Sequence, residues 1–136
     1  VAQDFYILQN EGVQTKPLWF WSLGQFDLEI NSENSSIFLW TASQNLQGFV
    51  MYRVILDEVE IMNLAVRNKG QGNGKKLLAS FLKDLSLKST KFIFLDVASE
   101  NFAALNLYAS QGFRRVGLRS RYYGSQLDAV QMRFEF

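Results

Sequence analysis

Residues 64–78 run Leu64-Ala65-Val66-Arg67-Asn68-Lys69-Gly70-Gln71-Gly72-Asn73-Gly74-Lys75-Lys76-Leu77-Leu78, so that a strand pattern enters a glycine-rich bend and leaves it as a helix pattern. Glycines at every second position strip side chains from one short loop, so several main-chain N–H groups can face the same point. The helix that follows adds its own unpaired N–H groups and positive dipole end. An anion, phosphate above all, is the natural guest. Lys75 and Lys76 in a first helical turn oppose the dipole unless something negative lies nearby. A tight strand-to-helix turn with solvated lysines fits the same residues, and the motif alone leaves both readings open.

The flanking patterns set the fold class. Leu77, Leu78, Phe81, Leu82 and Leu85 form one apolar helix stripe. Residues 91–97 are a near-continuous apolar run, as expected of a strand buried on both sides, and a strand-helix-strand crossover makes it parallel to residues 58–66. Ahead of the loop, residues 37–41, 48–56 and 58–66 read as strands joined by tight turns, an antiparallel meander that follows the polar turn 31–36. Residues 4–9 read as a first strand, with a short amphipathic helix as the alternative. Residues 15–30 hold the only proline, Pro17, and suggest one or two short helices in which Trp19, Phe20 and Trp21 either pack onto a sheet or line a substrate entrance. After the crossover come a helix over 101–111, capped by Asn101 or Ser99 and ended by Gly112, a strand over 113–118, a loop with Tyr122 and Tyr123, and a strictly alternating strand over 129–136. The prediction is an α+β fold in a single domain, residues 1–136. Its mixed, mostly antiparallel sheet has about seven strands, one central parallel pair and helices on both faces. Ligand is expected in the crevice where Val66 and Val97 end the parallel strands.

Composition removes several chemistries. The chain of 136 residues is 48% hydrophobic and 15% aromatic, enough for a real core. Without Cys or His it has no disulfide, thiolate metal site, cysteine nucleophile, imidazole base or Ser-His-Asp triad, and no metal is expected. Proton transfer in an enzyme of this composition falls to Asp, Glu, Tyr, Lys or water. A formal net charge of +1 gives no field for nucleic acid or an anionic membrane. No apolar run nears the ~20 residues of a membrane span, so the expectation is a soluble cytoplasmic protein, monomer or homodimer. The chain begins on Val1, which leaves open what precedes it.

The stretch Leu95-Asp96-Val97-Ala98-Ser99-Glu100-Asn101-Phe102-Ala103-Ala104-Leu105-Asn106-Leu107-Tyr108-Ala109-Ser110-Gln111-Gly112-Phe113, with the glycine loop and the order of elements, resembles the GCN5-related N-acetyltransferase (GNAT) family. Residues 56–66, 119–123 and 128–132 are similar to its bacterial ribosomal-protein alanine N-acetyltransferase type; residues 48–136 are covered well and 1–47 in outline. The resemblance implies binding of acetyl-coenzyme A. The loop motif maps onto Lys69-Gly70-Gln71-Gly72-Asn73-Gly74, in preference to the register beginning at Arg67, because Leu77-Leu78 then falls at the right distance. Main-chain N–H groups from Gln71 to Lys75 would hold the pyrophosphate, and the strand edge of Leu64, Ala65 and Val66 would pair with the pantetheine arm.

The catalytic positions implied are Asp96 as general base and Tyr108 as the acid that protonates the leaving thiolate, with Asn101 as a cofactor contact. Glu60 and water are the other candidates for the base, because the family carries Glu where this chain has the shorter Asp96. Tyr122, Tyr123, Trp19 and Trp21 are the candidate acceptor-binding residues. Lys69 in place of Arg or Gln, a short loop without its usual Pro, and a short turn over 123–128 depart from the pattern; the last bears on the acceptor. The leading expectation is acetyl transfer to a primary amine, a protein N-terminus first, by direct attack in a ternary complex. A small-amine acetyltransferase (polyamine, amino sugar or drug) and a non-catalytic acyl-CoA-binding module are the alternatives.

Overall fold

The structure, a computed structural model, describes residues 1–122 and 127–136. The order of elements is α1 (Ala2–Asn10), α2 (Leu23–Ile30), β1 (Ser35–Ala42), β2 (Asn45–Ile55), β3 (Glu58–Val66), α3 (Asn73–Ser86), β4 (Phe92–Ala98), α4 (Phe102–Ser110), β5 (Arg114–Arg119) and β6 (Ala129–Glu135). The strands form one sheet in the order β1-β2-β3-β4-β6-β5. β1, β2 and β3 are the expected meander, β3 and β4 are the parallel pair at the centre, and the remaining neighbours are antiparallel.

The described sheet has six strands, not seven, because the first segment is the helix α1. The aromatic and β-branched content of residues 4–9 favours a strand, but tertiary packing decides otherwise. Phe5 and Leu8, one helical turn apart, are buried with Phe26 on α2 and Phe49 and Met51 on β2. Phe5 meets Phe49 edge-on with ring centroids 4.8 Å apart. Between the helices, residues 17–20 make a single turn closed by Phe20 N–H donating to Pro17 O at 3.2 Å, so the region holds one short helix. Ser22 and Gln25 start α2 with a reciprocal capping box.

Alternate residues of β2 feed two cores. Phe49 and Met51 face α1 and α2, while Val50 and Tyr52 join Leu77, Leu78, Phe81 and Leu85 of α3 on the other side. Helices therefore cover both faces, unequally. β4 is buried through Ile93, Leu95 and Val97, but Phe92, Phe94 and Asp96 on its other face are only half-buried, so this strand is not sealed on both sides as its apolar run predicts. Arg133 on β6 lies over Phe92, its guanidinium carbon 4.2 Å from the ring centroid, and covers part of that face. No helix among the described residues is long and apolar enough to cross a membrane.

The α2 side is pinned by an ion pair. Glu29, 5% exposed, accepts from Arg53 Nε at 3.0 Å and Nη2 at 2.6 Å. Arg53→Met removes the partner and strands a buried carboxylate. We expect a loss of about 2 kcal/mol, below the usual cost of breaking a buried pair because Arg53 is partly solvated. Denaturant unfolding at pH 7 measures it, and Glu29→Gln in the same background should restore part of the loss.

Candidate active site

The parallel strands part company. β3 and β4 pair only from Glu58–Phe92 to Ile61–Leu95, whereas β3 continues against β2 as far as Val66 and β4 against β6 as far as Ala98. The β2–β3 register shifts at this point: Met51 opposes Asn63 and Tyr52 opposes Ile61, which leaves Met62 as an extra residue. A bulge of this kind bends its strand and strengthens its twist. The sheet therefore forks, and the β4-facing edge of β3 over Met62, Asn63, Leu64, Ala65 and Val66 has no strand partner among the described residues. Such an edge can hydrogen-bond an extended ligand as a further strand would.

A cavity of about 480 Å³ fills the fork. Its walls bring together Leu64, Ala65 and Val66 with Lys69, Gly70, Gly74 and Lys75 of the loop, Asp96, Asn101 and Tyr108, and the aromatic segment Trp19 to Trp21. Most of the residues singled out from sequence thus converge. Gln71, Gly72 and Asn73 do not line the cavity and form the outer part of the loop. Tyr122 is outside it as well, half exposed with the Arg119 guanidinium 5.6 Å from its ring centroid. Tyr123 lies outside the described residues.

The loop owes its shape to left-handed residues at every second position, Asn68 (φ 55°), Gly70 (φ 80°) and Gly72 (φ 78°). A Cβ at Gly70 or Gly72 would meet nothing within 4 Å, so backbone angle and not space calls for glycine there. At Gly74, where α3 faces α4, a Cβ would lie 3.4 Å from Leu107 Cδ2, an ordinary van der Waals contact. No side chain caps α3, and its first internal bond is Lys76 N–H to Gly72 O at 3.2 Å. The N–H groups of Asn73, Gly74 and Lys75 are thus outside the helix's own bonding, as an anion site requires. Asn73 Nδ2 donates to Arg67 O at 3.2 Å and Asn68 O at 3.3 Å and braces the loop from within. The Lys69 ammonium turns away, donating to Leu8 O at 2.9 Å and Glu11 O at 3.3 Å at the end of α1, and burial lowers its pKa.

Asp96 stands at the apex of the fork, one residue beyond the last β3–β4 pair. Its side chain is 14% exposed, and burial raises its pKa despite Arg119, whose Nε is 3.6 Å from Oδ1. Asp96 also lines a second groove of about 330 Å³ on the open sheet face with Glu58, Glu60, Phe94, Arg119 and Gln131. Asp96, with Leu95 before it, therefore borders both spaces. Glu60 lines only the second groove. Tyr108 enters from α4, 6% exposed and edge-on to Phe113 at 5.2 Å. Asn101 is the cap of α4, accepting from Ala104 N–H at 3.2 Å, and borders the cavity at the same time. Gly112 (φ 99°) ends that helix, with Phe113 N–H returning to Tyr108 O at 3.0 Å. Sequence reasoning missed Gln9 and Asn63 among the lining residues. Read as the end of a strand, Gln9 gave no signal; read on a helix, it follows Phe5 and Leu8 on the buried side.

An unpaired strand edge, a glycine loop at a helix start, and a carboxyl and a phenol thus share the walls of one cavity. The chain belongs to the acetyltransferase (GNAT) family, whose sequence model matches residues 4–113, and as a member it is an acetyl-coenzyme A-dependent N-acetyltransferase. It is 33% identical over 140 residues to the [ribosomal protein bS18]-alanine N-acetyltransferase of Haemophilus ducreyi, across 97% of this chain and 94% of the relative. The crystal structure of the ribosomal-protein-S18-alanine N-acetyltransferase from Escherichia coli superposes with a TM-score of 0.82 at 27% identity, covering 98% of this chain and 86% of that one. An acetyltransferase from Bacillus subtilis in complex with CoA shares the fold, with a TM-score of 0.76 at 19% identity over 98% and 92% of the two chains.

Proposed function

We propose that this enzyme acetylates the α-amine at a protein N-terminus, with a ribosomal protein beginning in alanine as the acceptor, by direct attack in a ternary complex. The observation that carries the reading is that Asp96 and Tyr108 line one cavity with the glycine loop and the Trp19 to Trp21 segment: the loop side would admit the thioester, and the tryptophan side the acceptor chain. The names of the Haemophilus ducreyi and Escherichia coli proteins support the alanine acceptor.

In this reading main-chain N–H groups from Gln71 to Lys75, of which Gly74 and Lys75 line the cavity, hold the pyrophosphate, Leu64, Ala65 and Val66 pair with the pantetheine arm, and Asn101 contacts the coenzyme. Asp96 takes a proton from the amine, directly or through water, as nitrogen attacks the thioester carbon. The C–S bond breaks, and Tyr108 protonates the departing thiolate. Trp19 and Trp21 wall the acceptor side. Without cysteine the chain has no thiol to carry an acetyl intermediate.

Thiol release from acetyl-coenzyme A, measured with a panel of N-terminal peptides beside polyamines and amino sugars, tests the reading. Peptides with a free N-terminal alanine should turn over, and the same peptides acetylated beforehand should not. Turnover confined to polyamines or amino sugars would move the acceptor to the small-amine class, and binding of coenzyme A without thiol release on any amine would leave a binding module.

A further inference from the structure

The C-terminal end of α1 holds two parts of the cavity's surroundings, the Trp19 to Trp21 segment through Gln9 and the base of the glycine loop through Glu11, the residue after the helix. Gln9, 3% exposed, donates from Nε2 to Trp21 O and accepts at Oε1 from Trp21 N–H, both at 2.9 Å. One side-chain amide thus gives the main chain of Trp21 the two bonds a neighbouring strand would give, in a segment that lies outside any helix or strand. Trp21 is also held through its ring, which packs on Phe26 at 5.2 Å. Gln9 borders the cavity, but both of its polar atoms are committed to the wall and not to a guest.

Two residues on, Glu11 grips the other part. Its carboxylate accepts from Arg67 Nη1 and from Asn68 N–H at 3.3 Å. Its main-chain oxygen, with that of Leu8, receives the Lys69 ammonium. Arg67 and Lys69 repel each other, while Glu11 attracts both. The carboxylate therefore holds two cations against the base of the glycine loop and fixes the left-handed Asn68 where that loop begins.

We infer that Gln9 and Glu11 are positioning residues for opposite substrates: Gln9 sets the acceptor wall through Trp21, and Glu11 sets the coenzyme loop through Arg67, Asn68 and Lys69. The acceptor half rests on the proposal that the Trp19 to Trp21 segment walls the acceptor side of the fork cavity. Neither residue exchanges a proton with substrate, so each should act on one KM and leave the other.

Steady-state kinetics with acetyl-coenzyme A and an alanine-initiated peptide test this on near-isosteric variants. Gln9→Met should raise peptide KM about tenfold, the worth of one or two lost hydrogen bonds, with acetyl-coenzyme A KM within about twofold. Glu11→Gln keeps the acceptor for Asn68 N–H but loses the charge; it should raise acetyl-coenzyme A KM about tenfold and leave peptide KM within about twofold. Both constants moving together in each variant, or neither moving, overturns the inference. Trp19→Ala separates it from the reading beneath it. A peptide KM raised in Trp19→Ala but unchanged in Gln9→Met overturns the Gln9 assignment alone, and no change in either overturns both. Should Gln9→Met fail to fold, hydrogen exchange on the unaltered protein decides its half: slow exchange at Trp21 N–H supports the clamp, and exchange as fast as that of an unbonded amide overturns it.

Discussion

Tyr108→Phe is expected to lower kcat by about 10²- to 10³-fold, the range for removing a general acid, while the dissociation constant for acetyl-coenzyme A stays within about threefold. The two effects separate because the ring and the hydroxyl of Tyr108 have different tasks. The ring is packed edge-on against Phe113 in the core beneath α4, and Phe supplies the same ring there. Only the hydroxyl is lost, and with it, on the proposed mechanism, the proton for the sulfur that leaves. The C–S bond must then break with charge building on an unprotonated thiolate, which a less basic thiol tolerates better. Activity with an acyl donor of low leaving-group pKa should accordingly recover in the variant more than in the unaltered enzyme. Stopped-flow thiol release with the two donors makes the measurement, and equal losses on both would take Tyr108 out of the acid role.

Asp96→Asn should cut kcat/KM by about 10²-fold or more and yet leave the fold as stable as before, or more so, at neutral pH. Burial holds the Asp96 carboxyl above its ordinary pKa in the folded chain, with Arg119 offsetting only part of the shift. A group raised in this way contributes stability that is fully present below its unfolded pKa of about 3.9 and is lost as pH rises through the folded value. At pH 7 the ionised side chain is thus a cost to the fold that the neutral amide removes. Arg119, half exposed, keeps its hydration when its partner goes. Thermal unfolding at pH 7 and pH 4 should show the variant at or above the parent at the higher pH and the difference shrinking at the lower. For the unaltered enzyme, kcat should fall on acidification through one ionisation above the ordinary aspartate range, and this limb should vanish in the variant. An unchanged profile would assign the base to water.

The order of elements from 35 to 135, the parallel pair and the glycine loop were legible in the sequence because each rests on a local pattern: alternation in a strand, a 3.6-residue stripe on α3, positive φ at Gly70 and Gly72. The first segment was not. Six residues, four of them apolar or aromatic, fit either a strand or two turns of helix, and only Phe26 and Phe49, distant in sequence, choose the helix. The strand count and the placement of Gln9 both turn on that choice. The burial of β4 was over-read for a related reason, since an apolar run does not say which of its faces will find a covering helix.

By itself the sequence determined the loop on which the coenzyme is proposed to bind. A phosphate loop is a short-range object, made of glycines at fixed spacing and a helix start, and these lie within 15 consecutive residues, 64–78. The tertiary structure alone decided the rest. The fork arises where β3 gains a residue at Met62 and leaves β4 after Ile61, and it is this parting that puts Asp96 at its apex, bordering two grooves. Gln9 and Trp21 are 12 residues apart, and Glu11 and Arg67 are 56 apart. No periodicity links such pairs, because their contact follows from how α1 docks on the sheet and not from any property of the chain between them.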